Sequence, residues 1–297
     1  MKKFIVFSIL CVLTSYVTYG DTLDIADADT IGYNRFSIGV RGGAAIAIMS
    51  SGSFTSRVGY NALLDLEYSH FFNRKSENKP YCGILAGVSV GYISTGLKGS
   101  IKDQYTTADA EGDRVDYTIT ADNVVSNMGQ LQVQVPLMFT MLYKGLFVNI
   151  GPRFAIPVYS PYSQTLENAH IAAYYEPYGV TRVDNVITGK LAEEQLNTKG
   201  TWNAPIFQLL VSAEIGYEFA LKNGHSIGIG LYADYCAFNT FKKDATANSM
   251  ISVSQIGADP ANPAPKVDVL PAISVYADKF SCFDVGLKVV YNLDFKK

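Results

Sequence analysis

The sequence is poor in charge and in the residues that build catalytic and metal sites. Its 297 residues include 4 Cys, 3 His and 1 Trp, and 17% of them are charged, whereas soluble domains average roughly 25%. The three histidines, His70, His170 and His225, fall in separate predicted strands and loops, too far apart to share a metal ion. These shortages predict no enzyme and no cofactor, and the net charge of −3 does not suggest a nucleic-acid partner.

After its first twenty residues the chain has no apolar run of about 18 residues, the length a helix needs to cross a bilayer. Within those twenty, Lys2 and Lys3 precede an apolar run, and Thr18-Tyr19-Gly20 is typical of a cleavage site. We therefore predict a signal peptide at 1–20 and a short periplasmic lead-in at 21–32. An exported, apolar chain without a helical span can enter a membrane only as a closed barrel, in which every backbone polar group is paired.

The pattern that is present is a two-residue alternation. Near the C-terminus apolar residues alternate with small and polar ones, which predicts a long strand with one apolar face. The apolar positions there are Phe283, Val285, Leu287, Val289, Tyr291, Leu293 and Phe295. Eight such strands are predicted, at 35–49, 57–72, 81–94, 129–143, 146–159, 206–221, 226–240 and 280–295.

Short and long connections alternate between these strands. The short ones are 73–80, 144–145 and 222–225; the stretches 95–128, 160–205 and 241–279 are polar and long, and 50–56 is a brief member of the long set. This rhythm predicts an all-β domain over 33–297, an eight-stranded antiparallel transmembrane up-and-down β-barrel with short periplasmic turns and long extracellular loops. An antiparallel sandwich is the alternative, since its core has the same period of two.

Charges fall on only one parity of the predicted strands, the inward one. Since eight strands leave an interior just wide enough for side chains, mixed charges there are expected to pair and fill the lumen. The alternative is a gated narrow conduit or a buried ligand site. The predicted network consists of Arg35, Arg41, Asp65, Glu67, Arg153, Glu214, Glu218, Asp234, Asp284 and Lys288.

Two of the cysteines also lie on the inward parity. Cys236 and Cys282 belong to consecutive predicted strands and lie at a similar height, so a disulfide between them is sterically feasible in an oxidising compartment. A pair of small buried thiols is the alternative.

The predicted outer loops carry the residues available for binding. The stretch 95–128 has a surplus of acidic residues, which either holds divalent cations that bridge to lipopolysaccharide or simply keeps the loop solvated. The stretch 160–205 is rich in tyrosine and contains Trp202, and such residues are either contact residues or part of an interfacial girdle. The expected partners are therefore outer-membrane lipid and lipopolysaccharide, with a surface glycan or a protein ligand also bound through the loops.

Two of the predicted strands resemble a known family. Gln134-Val135-Pro136-Leu137 and the segment from Phe147 to Phe154, FVNIGPRF, are similar to paired strands of the outer-membrane β-barrels common in Bacteroidota. The chain resembles the PorT-like barrels of that family and, in architecture, the eight-stranded OmpA barrel. The resemblance implies the outer membrane of a Gram-negative bacterium.

From these observations we expect a non-enzymatic protein whose barrel is a membrane anchor and whose loops bind a partner. The alternative is a narrow transport conduit or a PorT-like component of a secretion apparatus.

Overall fold

The computed structural model describes residues 33–50, 53–72, 80–108, 112–183, 195–221, 224–244, 249–254 and 266–295. The predicted signal peptide and lead-in lie outside these residues. Fourteen strands are present: β1 (Tyr33–Ser50), β2 (Phe54–Phe71), β3 (Tyr81–Ala108), β4 (Arg114–Tyr143), β5 (Leu146–Tyr159), β6 (Pro161–Glu167), β7 (His170–Tyr175), β8 (Val180–Val183), β9 (Gln195–Thr201), β10 (Gln208–Ala220), β11 (His225–Asn239), β12 (Ile251–Ser254), β13 (Lys266–Val269) and β14 (Lys279–Phe295).

Eight of these strands pair in a ring. In chain order β1, β2, β3, β4, β5, β10, β11 and β14 each pair antiparallel with the next. β14 then pairs with β1 from Asn34–Phe295 to Ser50–Lys279, which returns the ring to its start. The prediction of an all-β, eight-stranded antiparallel barrel is confirmed, and the eight predicted strands are the eight of this ring.

The alternation of residues explains which face of each strand points outward. On β1 the side chains of Ile38, Val40 and Ile48 are about half exposed, whereas Arg41 between them is buried. β4 and β10 repeat this pattern, with Leu137 and Val211 exposed on the outside. The outward faces form an apolar belt around the ring, as expected for a barrel wall in contact with lipid.

The long stretches that the sequence predicts as loops are instead largely strands. β3 and β4 continue as one hairpin far past the barrel, and β6, β7, β8 and β9 add to it. We call this prolonged wall, residues 95–108, 114–128, 161–183 and 195–201, the outer extension. Its inner face is apolar, with Val115, Tyr117 and Ile119 buried at every second position.

The segment between β11 and β14 folds over the inner face of this extension. It contains the β12–β13 hairpin and one short helix, α1 (Ala272–Tyr276). Met250, Ile251, Ile273 and Val275 pack into the same apolar cluster as the inner face of the extension. We call residues 249–254 and 266–277 the lid. Among the described residues, no helix has the length and apolar character needed to cross a bilayer.

Glycines on the inward face bring neighbouring strands into unusually close contact. A Cβ on Gly43 would lie 2.0 Å from the Val285 carbonyl oxygen and 2.5 Å from the Cα of Gly286. Gly43 and Gly286 are direct partners across the β1–β14 pair. These two glycines therefore permit the close approach of the strands that complete the ring.

Candidate functional site

The structure brings the predicted inward charges together inside the ring. All ten are buried or nearly so, and all of them except Asp284 form an ion pair within 4 Å. We call the arrangement the lumen network. Its members come from β1, β2, β5, β10, β11 and β14, so the paired charges connect strands on opposite sides of the barrel.

Arg41 lies at the centre of the lumen network. Its guanidinium donates to Asp65 at 2.8 Å, to Asp234 at 2.8 Å and to the side-chain oxygen of Gln134 at 2.9 Å. The ring of Tyr232 lies 5.0 Å from the guanidinium carbon. One fully buried cation thus joins four strands, which is the planar, multidentate role for which arginine is suited.

Arg153 and Lys288 continue the network through a shared acid, Glu214. Arg153 donates to Glu214 at 2.8 Å, and Lys288 donates to Glu214 at 2.8 Å and to Glu67 at 2.7 Å. Asn149 also donates to Glu214, at 2.8 Å. Because Arg153 also lies 4.0 Å from Asp234, the chain of charges runs without interruption from Glu67 to the Arg41 cluster.

A second group of charges occupies the end of the barrel where the short turns lie. Arg35 donates to Glu218 at 2.5 Å and to Asp294 at 2.6 Å. Asp294 was not among the predicted network residues, although it has the same inward parity as Asp284 and Lys288. The cavity bordered by this group and the Lys288 group holds about 20 Å³, room for about one water molecule.

Asp284 is the exception in the lumen network. It is 1% exposed and lies directly across from Asp234 in the β11–β14 pair, yet one of its carboxyl oxygens has no hydrogen-bond partner within the protein. Side-chain amides of Gln132 and Gln134 likewise have unpartnered nitrogen atoms. Polar groups of this kind in protein interiors are usually satisfied by ordered water.

Cys236 and Cys282 lie together where the lumen meets the outer extension. The β11–β14 ladder ends at Tyr235–Phe283, so the two cysteines occupy the next facing position. Both are buried free thiols, and they pack in the same small buried cluster. The disulfide therefore stays a prediction.

The lid is fastened to the outer extension by side chains of two strands. Gln164 on β6 accepts a hydrogen bond from the backbone N–H of Ala272 at 3.0 Å and donates to the carbonyl oxygen of Leu270 at 3.2 Å. Tyr276 donates to Asp103 on β3, and the combination of burial with this carboxylate raises the tyrosine pKa well above its usual value. These contacts hold the lid across the outer mouth of the barrel.

Trp202 has a structural role, which the sequence did not reveal. It is 5% exposed, donates to the Gly129 carbonyl oxygen at 3.2 Å and packs edge-on against Phe280, with 5.6 Å between ring centroids. Tyr159, Tyr174 and Tyr178 are in contrast exposed. These three tyrosines are therefore available for contact with a partner.

Neither a metal site nor a histidine cluster is formed by the described residues. No group of three or more His, Cys, Asp or Glu in this part of the chain has a geometry suited to a metal ion. His70 lies at the end of β2 and His170 begins β7 on the outer extension, while His225 begins β11. Two acidic residues of the predicted loop 95–128, Asp103 and Asp116, lie on strands and accept hydrogen bonds from Tyr276 and Thr106.

Comparisons with known proteins found solved structures to which the chain is similar at low sequence identity. No family model and no curated protein matches the chain. Ail of Yersinia pestis, solved with the heparin analogue sucrose octasulfate, is 6% identical with a TM-score of 0.32 and covers 89% of this chain and 100% of its own. Neisserial surface protein A is 9% identical with a TM-score of 0.27, covering 88% and 97%. The outer-membrane protease OmpT from Escherichia coli is 10% identical with a TM-score of 0.29, covering 93% and 99%.

At these identities and TM-scores the three structures carry no argument about what this protein does. The fold of the chain follows from its own strand pairing and from the apolar belt on its outer wall.

Proposed function

We propose that this chain is an outer-membrane protein without enzymatic activity, in which the barrel is an anchor and the outer extension presents a binding surface. In this arrangement the short turns and both ends of the barrel domain face the periplasm, and the outer extension projects from the cell. The apolar belt supports membrane insertion, because a charged side chain at the middle of such a face costs about 2 to 4 kcal/mol.

The observation that carries this proposal is that one part of the chain fills the lumen and a second part covers its outer mouth. Ion pairs among Arg41, Arg153 and Lys288 and their acids fill the middle of the barrel, and the lid packs over its outer mouth. Burying charged groups is expensive unless every one is partnered. A barrel that conducts solutes would not be expected to contain so many side chains that span its interior.

The outer extension supports a binding role. The strands β3 and β4 are 28 and 30 residues long, about twice the 14 residues of β5, which indicates a rigid sheet outside the barrel rather than mobile loops. Binding surfaces on rigid strands hold their geometry better than surfaces on loops. Partners of the kind that fit such a surface are an envelope glycan, a protein or the lipid itself.

The second candidate is a narrow conduit or a component of a secretion apparatus of the PorT-like kind. The polar character of the lumen favours it, since the interior contains amides and charged groups rather than apolar side chains. We also propose, from the resemblance in strands β4 and β5, that the chain is related to the Bacteroidota barrels.

Two measurements on one preparation separate these functions. Planar-bilayer recording of the purified full chain is expected to show no steady openings, whereas open channels of porin size would contradict the anchor. Co-purification from native outer membranes is then compared with a variant that lacks residues 100–122 and 168–194, a deletion that removes β7, β8 and the far parts of β3 and β4. Loss of a partner with retention of the barrel supports a binding surface; an unchanged set of partners contradicts it.

A further inference from the structure

The outward face of the outer extension changes character abruptly just beyond the apolar belt. Tyr92, Leu131 and Tyr159 form one cross-strand row of the belt, and Leu131 and Tyr159 are 39% and 54% exposed. Four residues farther along β3, about 13 Å at the usual rise per residue, the row is polar and positively charged. Such a boundary between aromatic and polar residues is typical of the level of lipid head groups.

One row across five strands contains this positive charge. Arg57 is paired with Gly96, Gly96 with Asn127, Asn127 with Ser163, and Ser163 with Lys199. We call these five residues the cationic row. At a spacing of about 4.8 Å between strands, the two cations at its ends are about 19 Å apart along the sheet.

Glycines shape the surface around the cationic row. Gly96 has no side chain, so the Arg57 stem lies across it, and Arg57 donates to the Asn127 side-chain oxygen at 3.1 Å. The ring of Tyr92 occupies the space that a side chain on Gly129 would fill. The result is a groove of about 600 Å³, open to the outside, whose lining includes Tyr92, Asn127, Tyr159, Ser163 and Lys199.

The charge of this surface has one sign. Lys98 on the next row outward is exposed, and neither it nor Lys199 has an ion-pair partner among the described residues. The described residues of the cationic row and of the next row, Thr55, Lys98, Val125, Thr165 and Asn197, include no carboxylate. Among the described residues, Glu167 on β6 lies farther out on this face and accepts from Asn123 at 2.6 Å.

We propose that the cationic row and the groove beside it bind the phosphorylated saccharide head group of an outer-leaflet glycolipid. Arg57 and Lys199 supply charge-assisted hydrogen bonds to phosphate, the Asn127 and Ser163 side chains supply hydrogen bonds to sugar hydroxyl groups, and the Tyr159 ring packs against the sugar or the start of the acyl chains. This inference rests on the proposed function in one respect, namely that the outer extension projects from the outer surface of the membrane.

The head group of a lipid fits this surface better than a soluble glycan does. A soluble glycan would gain no apolar contact at the edge of the apolar belt, where the surrounding surface is in contact with acyl chains. A lipid places its phosphates and sugars at this level and its acyl chains against the tyrosines and Leu131 below.

The test measures binding of bisphosphorylated lipid A to the full chain in phosphatidylcholine nanodiscs. The double variant Arg57→Gln/Lys199→Gln is expected to weaken binding by about tenfold or more, because it removes both charge-assisted contacts. Lys144→Gln is the matched control, since Lys144 is an exposed cation at the opposite end of the barrel, in the tight turn between β4 and β5. The control should bind like the wild type.

Further arms identify the source of the ligand. Dephosphorylated lipid A is expected to bind weakly and equally to wild type and double variant, and millimolar inorganic phosphate is expected not to displace lipid A. Full displacement by phosphate would show a simple anion site and overturn the proposal, as would equal lipid A binding by all variants. A third variant, Tyr159→Ala, is expected to weaken lipid A binding without any change of charge.

Heat-modifiable mobility in detergent gels establishes that each variant is folded, and bilayer recording of the same samples keeps the two proposals separate. Open channels with lipid binding intact would contradict the anchor alone. Closed barrels without charge-dependent lipid binding would contradict this inference alone.

Discussion

At the scale of single residues, the lumen network makes two isosteric substitutions differ sharply. Asp65→Asn removes one of the two carboxylates that the buried Arg41 guanidinium contacts at 2.8 Å and leaves it only Asp234 as a hydrogen-bonded acid, so we expect the free energy of unfolding to fall by about 3 kcal/mol. Asp284→Asn removes a buried charge that has no ion pair and faces Asp234. This second variant is expected to be as stable as the wild type or more so.

Urea unfolding in detergent micelles, followed by tryptophan fluorescence or by gel mobility, measures both variants. Equal losses of stability in the two variants would contradict this prediction, because the ion pair of Asp65 with Arg41 would then contribute no more to stability than the unpaired Asp284 does.

The two thiols at the top of the lumen lead to a chemical prediction. Because Cys236 and Cys282 occupy facing positions on paired strands and share one buried cluster, mild oxidation of the folded protein is expected to join them without movement of the strands. Mass spectrometry of unreduced peptides should then find one cross-linked peptide from β11 and β14. Detection of Cys82 in the cross-link instead would contradict the register of these two strands.

At the scale of strands, closure of the barrel depends on the approach of β1 and β14. Gly43→Ala puts a Cβ 2.0 Å from a backbone carbonyl oxygen of the partner strand, so we expect a loss of about 1 to 3 kcal/mol and slower assembly. Gly42→Ala is a matched control one residue away, because its nearest contact would be an ordinary 3.6 Å. Refolding into lipid vesicles, followed by gel mobility, should separate the two variants.

The attachment of the lid is a second property of strands and their connections. Gln164→Met leaves the Ala272 N–H without its acceptor in a buried position, a change that costs about 1 to 3 kcal/mol. We expect faster proteolysis of the segment 241–279 while the barrel stays folded. Thr165→Val, on the exposed side of the same strand, is the control and should leave the rate unchanged.

At the scale of the whole molecule, we expect the lumen network and the lid to close the barrel independently of each other. Replacement of residues 245–277, a segment that contains the lid, by a short Gly-Ser linker is expected to leave the barrel closed to ions, since the ion pairs around Arg41 and Glu214 lie within the ring itself. Planar-bilayer recording of this variant tests the point. Steady openings after removal of the lid would show that the lid is a gate.

The face of each strand was predictable from sequence because the side-chain period of a strand is two residues. Alternation therefore assigned Ile38 and Val40 to the outside and Arg41 to the inside, and the eight strands of the ring followed from eight such patterns. The same alternation predicts that Asp294 points inward. The sequence therefore contained the information needed to include Asp294 in the predicted network.

The partners within the lumen were not predictable in the same way. Arg41 contacts Asp65, Asp234 and Gln134 because the register of the strands around the closed ring brings these four residues to the same level of the lumen. No local sequence pattern predicts that register. The outer extension escaped prediction for another reason. Its strands have one polar face, and Thr95, Ser126 and Gln164 interrupt the otherwise apolar buried face, so the overall composition is similar to that of a loop.

Alternating hydrophobicity alone thus sufficed for the number of strands, for their lipid-facing sides and for the presence of charge in the interior, because each of these depends on short-range periodicity. Pairing between distant segments settled the rest: the route of the ion pairs, the contact of Cys236 with Cys282, the sheet beyond the membrane and the lid that covers it. These depend on strand register around a closed ring, which is a property of the assembled barrel and of no single segment.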